Sequence, residues 1–113
     1  MPLRIGFSQH RSRLLKMELE RVVQELPSLG ASKVIAIGDL PMNRVSPESI
    51  LELIVVQDLE LSYLDRIDFF TSHLRPLVGM EIAVYTPSEF SEMEKNNRFV
   101  MRSLKNGWVM YEE

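Results

Sequence analysis

The segment that most constrains the fold of this chain is Ile50-Leu51-Glu52-Leu53-Ile54-Val55-Val56. Its aliphatic and β-branched residues are typical of a β-strand. Side chains alternate between the two faces of a strand, so this segment is apolar on both faces except at Glu52. Such a strand is expected at the centre of a sheet that helices cover on both sides.

Turn residues and apolar periodicity divide the rest of the chain into short, alternating elements. The spacing predicts helices over about 12–26, 62–77, 87–95 and 98–105, and strands over 33–37 and 80–85. Leu3, Ile5 and Phe7 alternate with polar or small residues, which favours a short extended segment, and Trp108–Tyr111 is expected to lie extended against the body. We therefore predict one α/β (α+β) domain over residues 1–113, a small mixed sheet of about three main strands flanked by helices.

Composition excludes several classes of protein and site. The 113 residues suffice for one core, and a formal net charge of −3 gives no overall basic field for nucleic acid. The chain has no cysteine and two distant histidines, which argues against disulfides and a zinc site. No window reaches the roughly 20 apolar residues needed to cross a bilayer, so we expect a soluble protein, without a membrane partner, in the cytoplasm.

Glu52 is the polar residue that this pattern does not explain. A carboxylate on a covered strand costs several kcal/mol unless it is paired or binds a cation. An arginine or lysine partner such as Arg44, or a strand end that is more exposed than expected, would explain it without any function. Glu81 opens the strand over 80–85, where a charge by itself is unremarkable.

Taken together, the two glutamates and a glycine turn suggest a site. If the strands that carry them pair, Glu52 and Glu81 can lie side by side and hold Mg²⁺, with substrate phosphates completing its coordination. Gly38 ends the strand over 33–37, and its turn would direct backbone N–H groups toward those phosphates.

The motif Gly38-Asp39, ten residues, Ile50-Leu51-Glu52 and then Glu81 resembles that of the minimal nucleotidyltransferases of the DNA polymerase beta superfamily. The resemblance extends over nearly the whole chain, including Gly30–Gly38, Tyr85–Glu89 and Asn106–Glu112. Members of that family carry Gly-Ser, ten residues, Asp-x-Asp and a third Asp on the next strand. The resemblance implies a nucleotidyltransferase fold and transfer of a nucleoside monophosphate from an NTP, with two Mg²⁺ ions on three carboxylates and the triphosphate at the Gly-Ser turn.

The spacing of this motif is intact, but its residues differ. Ile50 replaces a metal-binding carboxylate and cannot bind a metal. Asp39 replaces the serine beside the triphosphate, where a like charge about 4 Å away costs roughly 1–4 kcal/mol. Glu52 and Glu81 keep the charge but add a methylene, and Mg²⁺ tolerates little misplacement of its ligands.

Two functions follow as hypotheses. The favoured one is a nucleotidyltransferase-like pseudoenzyme with weak or absent nucleotide binding that acts as a binding or assembly module. Its partner could be a helical protein, as in the toxin–antitoxin pairs that the resemblance implies, or a second copy of the chain. The alternative is an active Mg²⁺-dependent enzyme in which Asp39 replaces the carboxylate lost at Ile50, with Glu52 and Glu81 as the other catalytic and metal-binding residues and Gly38 and Asp39 contacting the nucleotide. It would transfer a nucleotide to a protein or a small molecule.

Overall fold

A four-stranded mixed sheet forms the centre of the computed structural model, which describes the backbone of residues 2–113 and the side chains from residue 6 onward. The strands are β1 (Lys33–Ile37), β2 (Leu51–Val56), β3 (Met80–Tyr85) and β4 (Trp108–Glu112). Their order across the sheet is β3-β2-β1-β4. Strands β2 and β3 are parallel, whereas β1 is antiparallel to both β2 and β4.

Four α-helices flank this sheet: α1 (Pro2–Glu25), α2 (Tyr63–Leu74), α3 (Pro87–Asn96) and α4 (Arg98–Asn106). A 3-10 helix over Leu26–Leu29 follows α1 and contains Pro27, where the sequence predicts that the first helix stops. The predicted α/β architecture is confirmed. The C-terminal segment that was expected to lie extended pairs with β1 as a fourth strand.

The sheet separates two apolar cores, as the pattern of β2 predicts. Leu51, Leu53 and Val55 face a core that α1 and α2 complete with residues such as Leu15 and Phe70. On the opposite face, residues of β1 and β2 pack against Phe90 of α3 and Val100 of α4 in the second core: Ile35, Ile37, Ile54 and Val56. Strand β2 is therefore an inner strand that is covered on both sides.

The predicted boundaries of the middle elements agree with the structure except at the end of α2. This helix stops at Leu74 and not near Leu77, because Arg75 adopts a left-handed conformation and Pro76 follows it. The Ser62 hydroxyl accepts a hydrogen bond from the Asp65 amide and caps α2. Thr86 and Glu89 form a reciprocal capping box at the start of α3. Asn97 caps α4 by accepting a hydrogen bond from the Val100 amide.

The extended segment predicted over Leu3–Phe7 is wrong, because α1 begins at Pro2 and runs through it. Proline is well suited to the first position of a helix, where its missing N–H costs nothing. The alternation also marks no buried face, since Phe7 is 58% exposed. In the described part of the chain, no helix is both long and apolar enough to cross a membrane.

Candidate functional site

The candidate site begins where β1 ends. Gly38 follows Ile37 with a φ of +84°, a left-handed conformation that glycine adopts without strain. Its carbonyl accepts a hydrogen bond from the Met42 amide at 3.2 Å, and the Asp39 carbonyl accepts one from the Arg44 amide at 2.9 Å. The segment after Gly38 forms turns, so no helix begins at this point.

Strand pairing makes Glu52 and Glu81 neighbours on one face of the sheet. They are register partners in the parallel β2–β3 pair, whose strands lie about 4.8 Å apart. Ile37 is the partner of Glu52 on the other side, so the glutamate lies beside the end of β1 and the Gly38 turn. The topology thus produces the juxtaposition of the two carboxylates that the alternation predicts.

The environment of Glu52 disfavours its charge. Burial is the largest cause that raises the pKa of Glu52, followed by the negative charges of Glu81 and Asp39, while a backbone hydrogen bond from Asp39 acts in the opposite direction. The ion pairs between described side chains involve Arg21, Lys33 and Arg66, and none of them includes Glu52. Within these residues, the simple explanation by an arginine or lysine partner does not apply.

Asp39 is held by the loop that follows it. Its Oδ2 accepts a hydrogen bond of 2.7 Å from the hydroxyl of Ser49, which is 4% exposed. The same hydroxyl accepts a hydrogen bond from the Ser46 amide at 2.8 Å, and Arg11 of α1 donates to the Ser49 carbonyl at 2.7 Å. Asp39 thus has a structural partner in the loop, although its charge still acts on Glu52.

Ile50 lies immediately before β2 and packs against the Gly79 backbone. A Cβ added to Gly79 would be 2.7 Å from the Cγ2 atom of Ile50, so the methyl group occupies the space that a side chain would need there. The position that a carboxylate would take in the resembled motif therefore belongs to an apolar contact between two loops.

Two depressions open near these residues. A groove of about 350 Å³ adjoins Glu52 and Glu81, and its lining is otherwise mostly apolar and contains no lysine or arginine among the described residues. A second cleft of about 190 Å³ lies beside Gly38 and is basic. It is lined by Gly38, Met42, Arg44, Phe99, Arg102, Ser103 and Asn106.

The fit of this site to metal ions is partial. Glu52 and Glu81 can supply oxygen ligands to one divalent cation whose remaining ligands are water or phosphate. Among the described residues, no group of three or more acidic or histidine side chains is arranged to hold a metal. The three-carboxylate set for two Mg²⁺ ions that the resemblance implies does not fit these residues.

Sequence reasoning missed the contribution of α4 to this region. Phe99 lines both depressions, and Arg102 lines the basic cleft together with Arg44. The available signal was the exposed polar face of α4, but only the fold shows that this face lies beside Gly38. Glu18 was also missed, although it is 4% exposed and bound by Arg21.

No protein-family model matches the sequence, and no curated protein matches it significantly. Among solved structures, the chain is similar to the crystal structure of a putative nucleotidyltransferase from Sulfolobus solfataricus, with a TM-score of 0.57. The sequence identity is 17%, over 96% of this chain and 86% of that chain. A likeness at this level of identity concerns the backbone arrangement alone. The chain therefore has the fold of a nucleotidyltransferase.

Proposed function

We propose that this protein is a nucleotidyltransferase-fold binding or assembly module whose site does not perform nucleotidyl transfer. The observation that supports the proposal best is the placement of Asp39. Its carboxylate accepts a hydrogen bond from Ser49 at 2.7 Å, in the turn where the resembled motif has a serine for the triphosphate. An incoming phosphate would meet a fixed negative charge there.

Charge in the adjoining groove supports the same proposal. Glu52 and Glu81 are register partners, and the described residues that line their groove include no cation. A triphosphate enters such a groove only when metal ions neutralise it, and Ile50 supplies no ligand to a metal. Nucleotide binding is therefore expected to be weak.

A protein partner is the second part of the proposal. The resemblance to minimal nucleotidyltransferases suggests a helical protein as the partner, in an antitoxin-like role, and a second copy of the chain is the other possibility. The fold would then serve as a scaffold, while the groove beside Glu52 has no catalytic task.

The first test is calorimetric titration of the purified protein with each of the four NTPs, in Mg²⁺ and then in Mn²⁺. We expect no metal-dependent heat at about millimolar nucleotide, and no transfer of label from α-labelled NTP to the protein itself. Metal-dependent binding that is lost in Glu52→Ala, together with transfer of label, would overturn the proposal.

A gain-of-function variant makes the negative result informative. The variant Asp39→Ser/Ile50→Asp/Glu52→Asp/Glu81→Asp restores the motif that the resemblance implies. If these four positions account for the lost chemistry, the variant binds NTP in a metal-dependent manner although the wild type does not. Ile50→Leu serves as a matched control that changes the same position without adding a ligand. A variant that folds but gains nothing would contradict this explanation.

An active Mg²⁺-dependent transferase is the alternative, and two observations favour it. Glu52 and Glu81 lie side by side, and each carboxylate would be stabilised by a divalent cation between them. Arg44 and Arg102 line the cleft beside Gly38, where cationic side chains could neutralise phosphate oxygens. If the protein is an active transferase, Arg44→Gln and Arg102→Gln should weaken NTP binding. If it is a binding module, the wild type already binds no NTP and the two variants change nothing.

A further inference from the structure

A second feature of the surface lies outside the carboxylate pair. Residues 95–111 contain four cations and no carboxylate, although the whole chain has a formal net charge of −3. The rest of the chain is therefore clearly acidic. These cations lie in α4 and in the last turn of α3, and the small net charge of the whole chain does not show this local excess of positive charge.

The cations of α4 form one continuous exposed face. Arg98, Arg102 and Lys105 follow at intervals of four and three residues, and all three side chains are exposed. With a rise of 1.5 Å per residue, they are spaced about 6 Å and 4.5 Å apart along the helix axis. None of them forms an ion pair with another described side chain. The face thus presents positive charge that the described part of the molecule does not neutralise.

Apolar side chains are interleaved with these cations. Phe99 is 64% exposed and Met101 is 47% exposed. At 100° per residue, the exposed residues of α4 from Met101 round to Phe99 fall within an arc of about 160°. Buried Val100 lies on the opposite side and anchors the helix in the second core.

We propose that this basic aromatic surface binds single-stranded nucleic acid. It comprises Arg98, Phe99, Met101, Arg102 and Lys105 of α4. Cations would contact successive phosphates of the strand, and the face of the Phe99 ring would stack on a base, which is how sequence-tolerant single-strand sites are built. An acidic protein segment could also satisfy the cations. We favour a nucleic acid because an exposed ring among regularly spaced cations is the combination that single-strand sites use, and competition with poly-glutamate distinguishes the two. The inference goes beyond the proposed function. Phe99 also borders the groove that contains Glu52 and Glu81, but neither glutamate is one of the proposed contacts.

Because the rest of the chain carries net negative charge, we expect the nucleic acid to bind at this basic aromatic surface and not elsewhere. Helix α1 packs on the other side of the sheet and carries Lys16, which is also exposed. Lys16 precedes Glu18 and Glu20 on α1 and belongs to the opposite layer. It therefore provides a matched control for the loss of one positive charge.

The test is fluorescence anisotropy with a 5′-labelled RNA of about twelve nucleotides, a length within the usual site sizes for single strands. We expect a Kd of about 10⁻⁶ to 10⁻⁴ M, and a slope of log K against log salt of about −2 for three phosphate contacts. Arg102→Gln should weaken binding and reduce the slope by about 0.7. Phe99→Leu, which retains the apolar volume, should weaken binding about 5-fold or more without a change in slope. Lys16→Gln should bind as the wild type does.

Three outcomes would overturn the proposal. The first is the absence of saturable binding at about 10⁻⁴ M protein in low salt, the weak end of non-specific affinity. The second is an equal loss of affinity in Lys16→Gln and Arg102→Gln. The third is that poly-glutamate displaces the RNA as well as unlabelled RNA does while Phe99→Leu has no effect, in which case the surface is a dock for acidic protein. Circular dichroism of each variant checks that it is folded.

Discussion

The carboxylate of Glu52 lies directly against the Cα of Gly38. A Cβ built on Gly38 would collide with the Oε2 atom of Glu52 and would be 2.7 Å from its Cδ atom. The φ of +84° at Gly38 independently favours glycine. Two features thus favour glycine at this position: the backbone conformation, and the Glu52 side chain, which would have to move to admit a Cβ.

Gly38→Ala should destabilise the protein by more than the roughly 1–2 kcal/mol that a left-handed conformation costs an L-residue. The excess arises from the collision with Glu52. The double variant Gly38→Ala/Glu52→Ala should recover that excess, because the obstructing carboxylate is gone. Urea unfolding of the four proteins of this double-mutant cycle measures the interaction.

Gly6→Ala is a suitable control for this cycle. Gly6 lies in α1 with no atom within 4 Å of an added Cβ. Alanine there should be neutral or stabilising by up to about 1 kcal/mol through helix propensity. If Gly38→Ala costs no more than positive φ alone and Glu52→Ala does not rescue it, the carboxylate does not occupy the turn as described.

Glu52→Gln should stabilise the protein at neutral pH. Burial first, and then the charges of Glu81 and Asp39, raise the pKa of Glu52 above its usual value. An acid whose pKa is raised by folding loses stability as the pH rises from its unfolded pKa, about 4.3 for glutamate, through its folded pKa. The variant should therefore be more stable than the wild type at pH 7 and equal to it below about pH 4.

The measurement is the free energy of unfolding in urea at several values of pH. Glu20→Gln is a matched control, because Glu20 is an exposed glutamate on α1. The free energy of unfolding of Glu20→Gln should rise little, relative to the wild type, as the pH increases. An equal gain in both variants would mean that the effect reflects the net charge of the chain and not the environment of Glu52.

Glu18→Ala should destabilise the protein by about 2–3 kcal/mol, the upper range for charged hydrogen bonds. Arg21 donates to both carboxylate oxygens of Glu18, at 2.7 and 2.9 Å, and the Leu77 amide donates to Glu18 at 2.5 Å. Arg21 also donates to the Leu74 carbonyl at 2.9 Å. This cluster ties α1 to the end of α2, so its loss should also increase hydrogen exchange over 74–78. Glu25→Ala removes a more exposed partner of Arg21 and should cost much less.

The sequence was sufficient to predict elements whose signal is local. The capping box at Thr86, the cap at Ser62 and the apolar run of β2 are each encoded within a few residues. The start of α1 was misjudged because five alternating residues carry no information about whether a neighbouring strand exists to pair with them. A strand needs a neighbouring strand to form its backbone hydrogen bonds, whereas a helix forms them between its own residues.

The candidate site was predictable only in part for the same reason. The alternation of side chains along β2 predicts which face of the sheet carries Glu52, and the pairing of β2 with β3 brings Glu81 beside it. The hydrogen bond between Asp39 and Ser49 spans ten residues of irregular loop, and no periodic pattern encodes it. Likewise, the approach of Arg102 to Gly38 depends on how α4 crosses the sheet.

Glu89→Gln should lower stability by about 0.5–1 kcal/mol at pH 7, since its partner Arg66 is largely buried but Glu89 is 45% exposed. The hydrogen bond from Arg66 is the largest cause that lowers the pKa of Glu89, followed by the backbone of Thr86. A lowered pKa contributes stability above the unfolded value of about 4.3, and this is lost as the pH falls through the folded pKa. The difference between wild type and variant in urea should therefore vanish in acid. Glu92→Gln, a neighbouring exposed glutamate, should show no such trend, and a difference that persists in acid would assign the loss to helix capping alone.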